Sequence, residues 1–282
     1  MFSVIIPTCN RPDLLAECLG HLAPGRQTAE HRHYEVIVTD DGSVPTAETL
    51  LRERFPWARW TAGPRQGPAA NRNHGATCAN GEWLVFTDDD CLPESGWIEA
   101  YATATALTPT AKVLEGKTLA CGPRESIDTE APINALGGCL WSCNFAVRRH
   151  LFLEMGGFDT GFPGPAMEDV EFRTRLRDAG VTLTFIEDAL VYHPWRKRKG
   201  LRFLHSYARS VDYFVSKHPK EAGFFSFTMQ LRILATGLIR MISQGFQKCG
   251  GRGVERGIIL EIYTFILLTW FSFKRRSRKP TP

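Results

Sequence analysis

The sequence predicts an α/β fold: a mostly parallel sheet flanked by helices, followed by a helical C-terminal extension. Three observations carry that reading. Short apolar runs at 3–8, 35–39 and 83–87 alternate with stretches of helical periodicity, the pattern of strands buried on both faces. The second and third runs end in acidic clusters, Asp40-Asp41 and Asp88-Asp89-Asp90, and ligands in such sheets bind beyond the carboxyl ends of the strands. Charge, finally, is split along the chain. Residues 1–195 hold 16 Lys and Arg against 26 Asp and Glu, a net of −10, whereas residues 196–282 hold 18 against 4, a net of +14. Two regions are therefore expected: an α/β domain over 1–195 and a basic, aromatic helical region over 196–282.

The elements follow in order. Ser-Val-Ile-Ile-Pro-Thr (3–8) is a buried strand closed by proline, and Leu14, Leu15, Cys18, Leu19 and Leu22 then fall on one helical face. Glu35–Thr39 is the second buried strand, and a helical stretch leads from it to Trp57–Trp60. Pro68–Gly81 is predicted as a helix before the third strand, Trp83–Thr87. The segment 121–141 is rich in Gly, Pro and Asn and is expected to be loop with short strands. Glu168–Ala179 is a helix stopped by Gly180, and Val181–Ile186 is a further strand. Beyond His193-Pro194-Trp195, Leu204, Tyr207, Val211 and Phe214 form one helical stripe, and Leu231, Leu234, Leu238 and Met241 another. Residues 257–273 carry a single charge, Glu261, and run into the basic stretch 274–279.

With 282 residues, 43% of them hydrophobic, the chain is long enough for a substantial core, which excludes a small disulfide-stapled module. The eight cysteines are scattered without a C-x-x-C pair, and the opening residues lack the basic start and apolar length of a secretory leader. Reduced thiols and a cytoplasmic setting are the expectation. Three consecutive aspartates at a strand end repel one another and call for a cation, and hard oxygen ligands favour Mg2+ or Mn2+. Such an ion commonly completes its shell with phosphate oxygens, which points to a phosphorylated or nucleotide substrate. Neither a G-x-x-x-x-G-K-[ST] loop nor a G-x-G-x-x-G after a strand is present, so P-loop and dinucleotide-binding chemistry lack support. Basic side chains such as Arg72 are then expected at the phosphates.

Seven segments, in order, resemble the landmarks of family 2 glycosyltransferases with the GT-A fold: 3–11, Val-Thr-Asp-Asp-Gly-Ser (38–43), Ala-Asn-Arg-Asn-His-Gly (70–75), 81–90, 144–149, Gly-Gly-Phe-Asp (156–159) and Glu168-Asp169. The resemblance covers roughly residues 3–195. It implies an inverting, metal-dependent transferase that moves a sugar from a nucleotide-diphosphate donor, with uridine the expected base, to a hydroxyl of a glycan or lipid-linked saccharide. By position it places Asp41 at the nucleotide base with Pro7 and Thr8 in the same pocket, and Arg72 on the nucleotide side. Asn10, Arg11 and Asp89 join the donor site, Asp88 faces the ribose, and Asp90 faces the metal, with His193 near the diphosphate or metal. Asp169 resembles the catalytic base and Glu168 a helper beside it. A base on the acceptor side and charge stabilisation of the departing diphosphate are what a single in-line displacement needs.

Other readings of the same residues stand beside these. Asp169 at a helix start also complements the helix dipole, Asn71, Asn73 and His74 also suit a cap or loop closure, and Trp141 suits either a sugar face or the core. No Q-x-x-R-W motif follows the base, and Arg196–Lys199 occupies that region, so one sugar per encounter is expected rather than processive synthesis. The basic, aromatic region beyond 195 predicts peripheral association with an anionic membrane surface, on the inner face of the membrane. Nucleic acid is excluded as a partner, because the acidic strand ends repel phosphate backbones and no nucleic-acid motif occurs. Two rivals share part of the pattern: a sugar-phosphate nucleotidyltransferase, which releases pyrophosphate, and a non-catalytic scaffold that only binds the donor.

Overall fold

A computed structural model describes residues 1–277; Arg278 and Lys279 of the C-terminal basic stretch lie outside the described residues. The chain forms two compact units. The first contains residues 1–121, 132–160 and 168–194, and the second contains 122–131, 161–167 and the described residues from 195 onward. The segments 122–131 and 161–167 thus depart from the expected 1–195 division. Burial explains the first of them: Ile127 packs with Met241, Cys249 and Val254, and Asp128 pairs with Arg256 at 2.5 Å.

In the first unit the elements are β1 (Phe2–Thr8), α1 (Pro12–Leu22), β2 (Tyr34–Asp40), α2 (Ala47–Arg54), β3 (Arg59–Ala62), α3 (Pro68–Cys78), β4 (Trp83–Thr87), β5 (Leu92–Pro93), α4 (Trp97–Leu107) and β6 (Val113–Cys121). In chain order β7 (Thr129–Glu130) belongs to the second unit, and β8 (Asn144–Arg148), α5 (Arg149–Glu154), α6 (Glu168–Asp178) and β9 (Leu183–Pro194) complete the first. The sheet runs β3-β2-β1-β4-β8-β6-β9-β5. Strands β3, β2, β1 and β4 are mutually parallel, β8 enters antiparallel between β4 and β6, and β6 and β9 are again parallel. This is the mostly parallel sheet the alternating apolar runs predict.

Every residue of β1 is buried, because helices cover both faces. Val4 and Ile6 point into one cluster with Leu15, Leu19 and Tyr101, while Ile5 points into the other with Phe86, Phe145, Phe152 and Phe172. Each such fully buried Val or Ile contributes about 1.5–3 kcal/mol relative to exposure. Gly75 marks a tight contact between helix and sheet. A Cβ there would lie 2.5 Å from Ile5 Cγ2 and 2.9 Å from Thr39 Cγ2, so α3 seats on β1 and β2 only through a glycine. The close fit matters, since α3 carries three of the side chains that organise the site.

The second unit pairs β10 (Arg196–Lys197) with β7 and then builds α7 (Leu201–Lys217), α8 (Phe227–Cys249) and α9 (Val254–Ser277). The α9 helix has 24 residues, longer than the 17-residue apolar stretch read from composition. Two helical segments, Pro219–Cys249 and Val254–Arg275, are long and apolar enough to cross a membrane by length and composition. Their apolar faces are largely exposed, with Ile239, Ile242, Phe246, Ile262, Ile266 and Trp270 among the exposed residues.

Candidate functional site

The carboxyl ends of β1, β2 and β4 converge, and α3 laces them together. Asn71 donates to the carbonyls of Thr8 at 3.3 Å and Thr39 at 2.9 Å, tying the ends of β1 and β2. Its neighbour Arg72 reaches Asp88 at 2.5 Å and Glu168 at 3.4 Å. Asn73 closes the Gly-Gly-Phe turn, donating to the Phe158 carbonyl at 2.8 Å and accepting the Phe158 N–H at 2.9 Å. Three successive residues of one helix thus connect two strands, the aspartate triplet and the segment leading to the catalytic candidates. His74 lies apart, with Nε2 3.1 Å from Thr61 Oγ1.

The three aspartates have three different environments. Asp88 is the accessible one, with its side chain 24% exposed beside Arg72. Burial pushes its pKa up, but the Arg72 charge and hydrogen bond, with His193 and Arg11 further off, outweigh burial and hold it below the ordinary value. Asp89 is fully buried, accepting from Thr8 Oγ1 at 2.7 Å and pairing with Arg11 Nη2 at 2.5 Å. Its carboxylate faces inward and anchors the β1 terminus. Asp90 turns toward β9, where His193 Nε2 lies 3.5 Å from its Oδ1, and Arg11 Nη1 is 3.8 Å from its Oδ2.

Asp90, Cys91 and His193 bring ligand atoms within 4.8 Å of one another. His193 Nδ1 lies 2.8 Å from the Pro194 carbonyl, which leaves Nε2 turned toward Asp90. Burial lowers the His193 pKa, which favours the neutral, metal-binding imidazole. The Cys91 thiol is pushed well up by burial and then by Cys143, so it is protonated and a poor ligand. That leaves a carboxylate oxygen and an imidazole nitrogen, a donor set that suits Mn2+ or Mg2+ better than a soft thiophilic ion. Cys91 had no signal in the sequence beyond its place after the triplet.

Just beyond β2, Asp41 accepts the N–H groups of Arg65 at 2.8 Å and Gly67 at 3.1 Å, and its own N–H donates to the Thr8 carbonyl at 2.9 Å. Its neighbour Asp40 is structural, accepting from Gly42 and Ala47, both at 2.7 Å. Asn10 adopts a left-handed backbone conformation (φ 55°), and its Oδ1 accepts the Ser43 N–H at 2.9 Å, which binds the loop after β1 to the loop after β2. Pro7 pairs in register with Thr39 at the end of the parallel ladder. Trp141 is half-buried against the core, its indole N–H donating to the Ile133 carbonyl at 3.0 Å.

Glu168 and Asp169 open α6. Glu168 is buried, and its pKa rises to about 7, first through burial and then through repulsion from Asp169, with Arg72 opposing both. Asp169 is also raised by burial, opposed by the Val170 N–H at 2.8 Å, by Arg72 and by the Ser142 backbone. A carboxyl with a raised folded-state pKa adds stability below its unfolded value, near 4.5 for Glu168, and loses it as pH climbs through about 7. Glu168→Gln removes that dependence. Thermal melts of wild type and variant from pH 5 to 8 are therefore expected to shift in the variant's favour as pH rises; a constant offset would refute the burial argument.

Two family models match the chain: "Glycosyl transferase family 2" over residues 3–110 and "Glycosyltransferase like family 2" over residues 139–224. An uncharacterized glycosyltransferase of Haemophilus influenzae is 31% identical over 207 residues, covering 68% of this chain and 67% of that protein. The chain belongs to glycosyltransferase family 2. Validoxylamine A glucosyltransferase of Streptomyces hygroscopicus subsp. limoneus is 27% identical over 260 residues, 78% of this chain, but the chain spans only 57% of that protein's length. Among solved structures, the mannosyltransferase PcManGT of Pyrobaculum calidifontis, in complex with GDP-Man and Mn2+, superposes with a TM-score of 0.63. It is 19% identical, with 98% of this chain and 87% of that one covered, and so shares the GT-A fold. In this family 2 chain the matched regions include Asp41, Arg72 and Asp88–Asp90 in the first and Glu168, Asp169 and His193 in the second.

Proposed function

We propose that the chain is an inverting, metal-dependent transferase that moves one sugar per encounter from a nucleotide-diphosphate donor to a hydroxyl of a glycan or lipid-linked saccharide. The observation that carries this reading is the Asp88–Arg72–Glu168 bridge, which links the accessible aspartate of the donor rim to the N-terminus of the helix bearing Asp169. Asp88, Arg72 and Asp41 bind and orient the nucleotide, with uridine the expected base and Pro7 and Thr8 lining its pocket. Asp90 and His193 hold the Mn2+ or Mg2+. When bound, the ion supplies Lewis-acid stabilisation to the departing diphosphate. Asp169 accepts the acceptor hydroxyl's proton, and the N–H of Val170 together with Arg72 keeps its carboxylate in place. Glu168, with its raised pKa, remains close to Arg72 and away from proton transfer.

The relatives support the donor class: PcManGT was captured with a nucleotide-diphosphate sugar and Mn2+. The exposed apolar faces of α8 and α9, in a region of net charge +14, support peripheral association with an anionic cytoplasmic membrane surface. Calorimetric titration with UDP, GDP, dTDP and CDP in Mn2+ and then in EDTA tests the reading. One nucleotide is expected to bind only with metal, and Asp90→Asn is expected to remove that binding by at least tenfold. Binding that ignores both EDTA and Asp90→Asn would reject the metal assignment. Pyrophosphate release in place of the nucleotide diphosphate would favour a nucleotidyltransferase.

A further inference from the structure

The second unit carries a cleft of about 620 Å³ that none of these roles uses. One wall is a stripe of α7, with His205, Arg209, Asp212 and Tyr213 at helical spacing; the opposite wall is Trp270 and Lys274 of α9. Asp212 is neutralised by Arg275 at 2.6 Å. Arg209 has no ion pair or hydrogen bond among the described residues, and the Lys274 ammonium lies 4.9 Å from the Trp270 ring centre. Two uncompensated cations therefore flank an aromatic surface.

The cleft also has an apolar approach. Ile259, Ile262, Ile266, Trp270 and Phe273 are all at least 41% exposed, and at 100° per residue they share one narrow stripe of α9. That stripe runs into the cleft at Trp270. Cations at the end of an exposed apolar stripe match a molecule with an anionic head and a hydrocarbon tail. A soluble anion would use the cations but leave the stripe in water, and a neutral amphiphile would use the stripe but leave Arg209 and Lys274 unmatched.

We infer that this cleft binds the phosphate head of a single-tailed or double-tailed lipid, with Arg209 and Lys274 as the head ligands and the α9 stripe as the tail surface. That such a lipid carries the acceptor rests on the transferase reading; the binding itself does not.

The test titrates the full chain with decyl phosphate below its critical micelle concentration, with decyl maltoside, and with inorganic phosphate. Decyl phosphate is expected to bind at least tenfold more tightly than either of the others. Arg209→Ala/Lys274→Ala is expected to remove that advantage while keeping the wild-type circular dichroism melt and Mn2+-dependent nucleotide binding. Retained nucleotide binding separates failure of the cleft from failure of the transferase site. Sedimentation with phosphatidylcholine vesicles containing 20% phosphatidylglycerol distinguishes the source. Loss of sedimentation in the double variant assigns the head to bilayer lipid, and unchanged sedimentation with lost decyl phosphate binding assigns it to a separate acceptor lipid. Equal binding of decyl phosphate and decyl maltoside, or indifference to the double variant, would overturn the inference.

Discussion

Asp169→Asn will leave metal-dependent nucleotide binding within twofold of wild type and lower turnover by about 10²–10⁴-fold, the usual contribution of a positioned general base. Turnover is read as release of the nucleotide diphosphate from the donor the titration identifies, with water standing in for the acceptor hydroxyl. The asparagine preserves shape and can still meet the Val170 N–H through its oxygen, so the fold has little reason to change. What disappears is the proton acceptor. Burial also raises the Asp169 pKa, so the acid limb of the wild-type rate profile is expected above the ordinary aspartate value of 3.8. Activity should rise as pH passes through that limb, because only the ionised carboxylate accepts a proton. Full activity in the asparagine variant would remove Asp169 from the chemistry, and a scaffold would show no turnover in either protein.

The rim of the site was legible because its signals are local. Apolar runs at β1, β2 and β4 each end in a proline or an acidic cluster, and a parallel sheet puts all three ends on one side. Division of labour within the rim was not legible. Successive residues leaving a strand point in different directions, so three identical letters become a partly buried partner of Arg72, an inward anchor held by Thr8 and Arg11, and a neighbour of His193. Composition contains no hint of that. The same limit hid β8, a five-residue strand whose antiparallel place between β4 and β6 depends on long-range pairing rather than on its own pattern. It also hid the attachment of 122–131 to the helical unit, which rests on Ile127 and Asp128 finding partners more than a hundred residues away. Local periodicity reports which face of an element is apolar; it carries no address for what covers that face.

Arg72 should therefore be the costliest single replacement in the site, and for a reason the sequence alone conceals. Its side chain is only 6% exposed and its guanidinium serves two carboxylates on separate elements, Asp88 after β4 and Glu168 at the start of α6. Arg72→Met keeps the length and apolar stem but strands both acids, and breaking a buried ion pair from one side typically costs about 3–5 kcal/mol. For a unit of this size that is a fall in melting temperature of about 6–20 °C, with loss of nucleotide binding because Asp88 is no longer oriented. Arg72→Lys keeps the charge but cannot fork to both partners, so it should fall between wild type and Arg72→Met. A double-mutant cycle isolates the cause. If the cost is a stranded carboxylate, adding Glu168→Gln to Arg72→Met should recover part of the lost stability, because a neutral amide tolerates that burial better than an acid whose pKa already stands near 7. Simple additivity of the two changes would mean that Arg72 stabilises the site through its packing over Phe158, 5.9 Å away, and not through the bridge between donor rim and base helix.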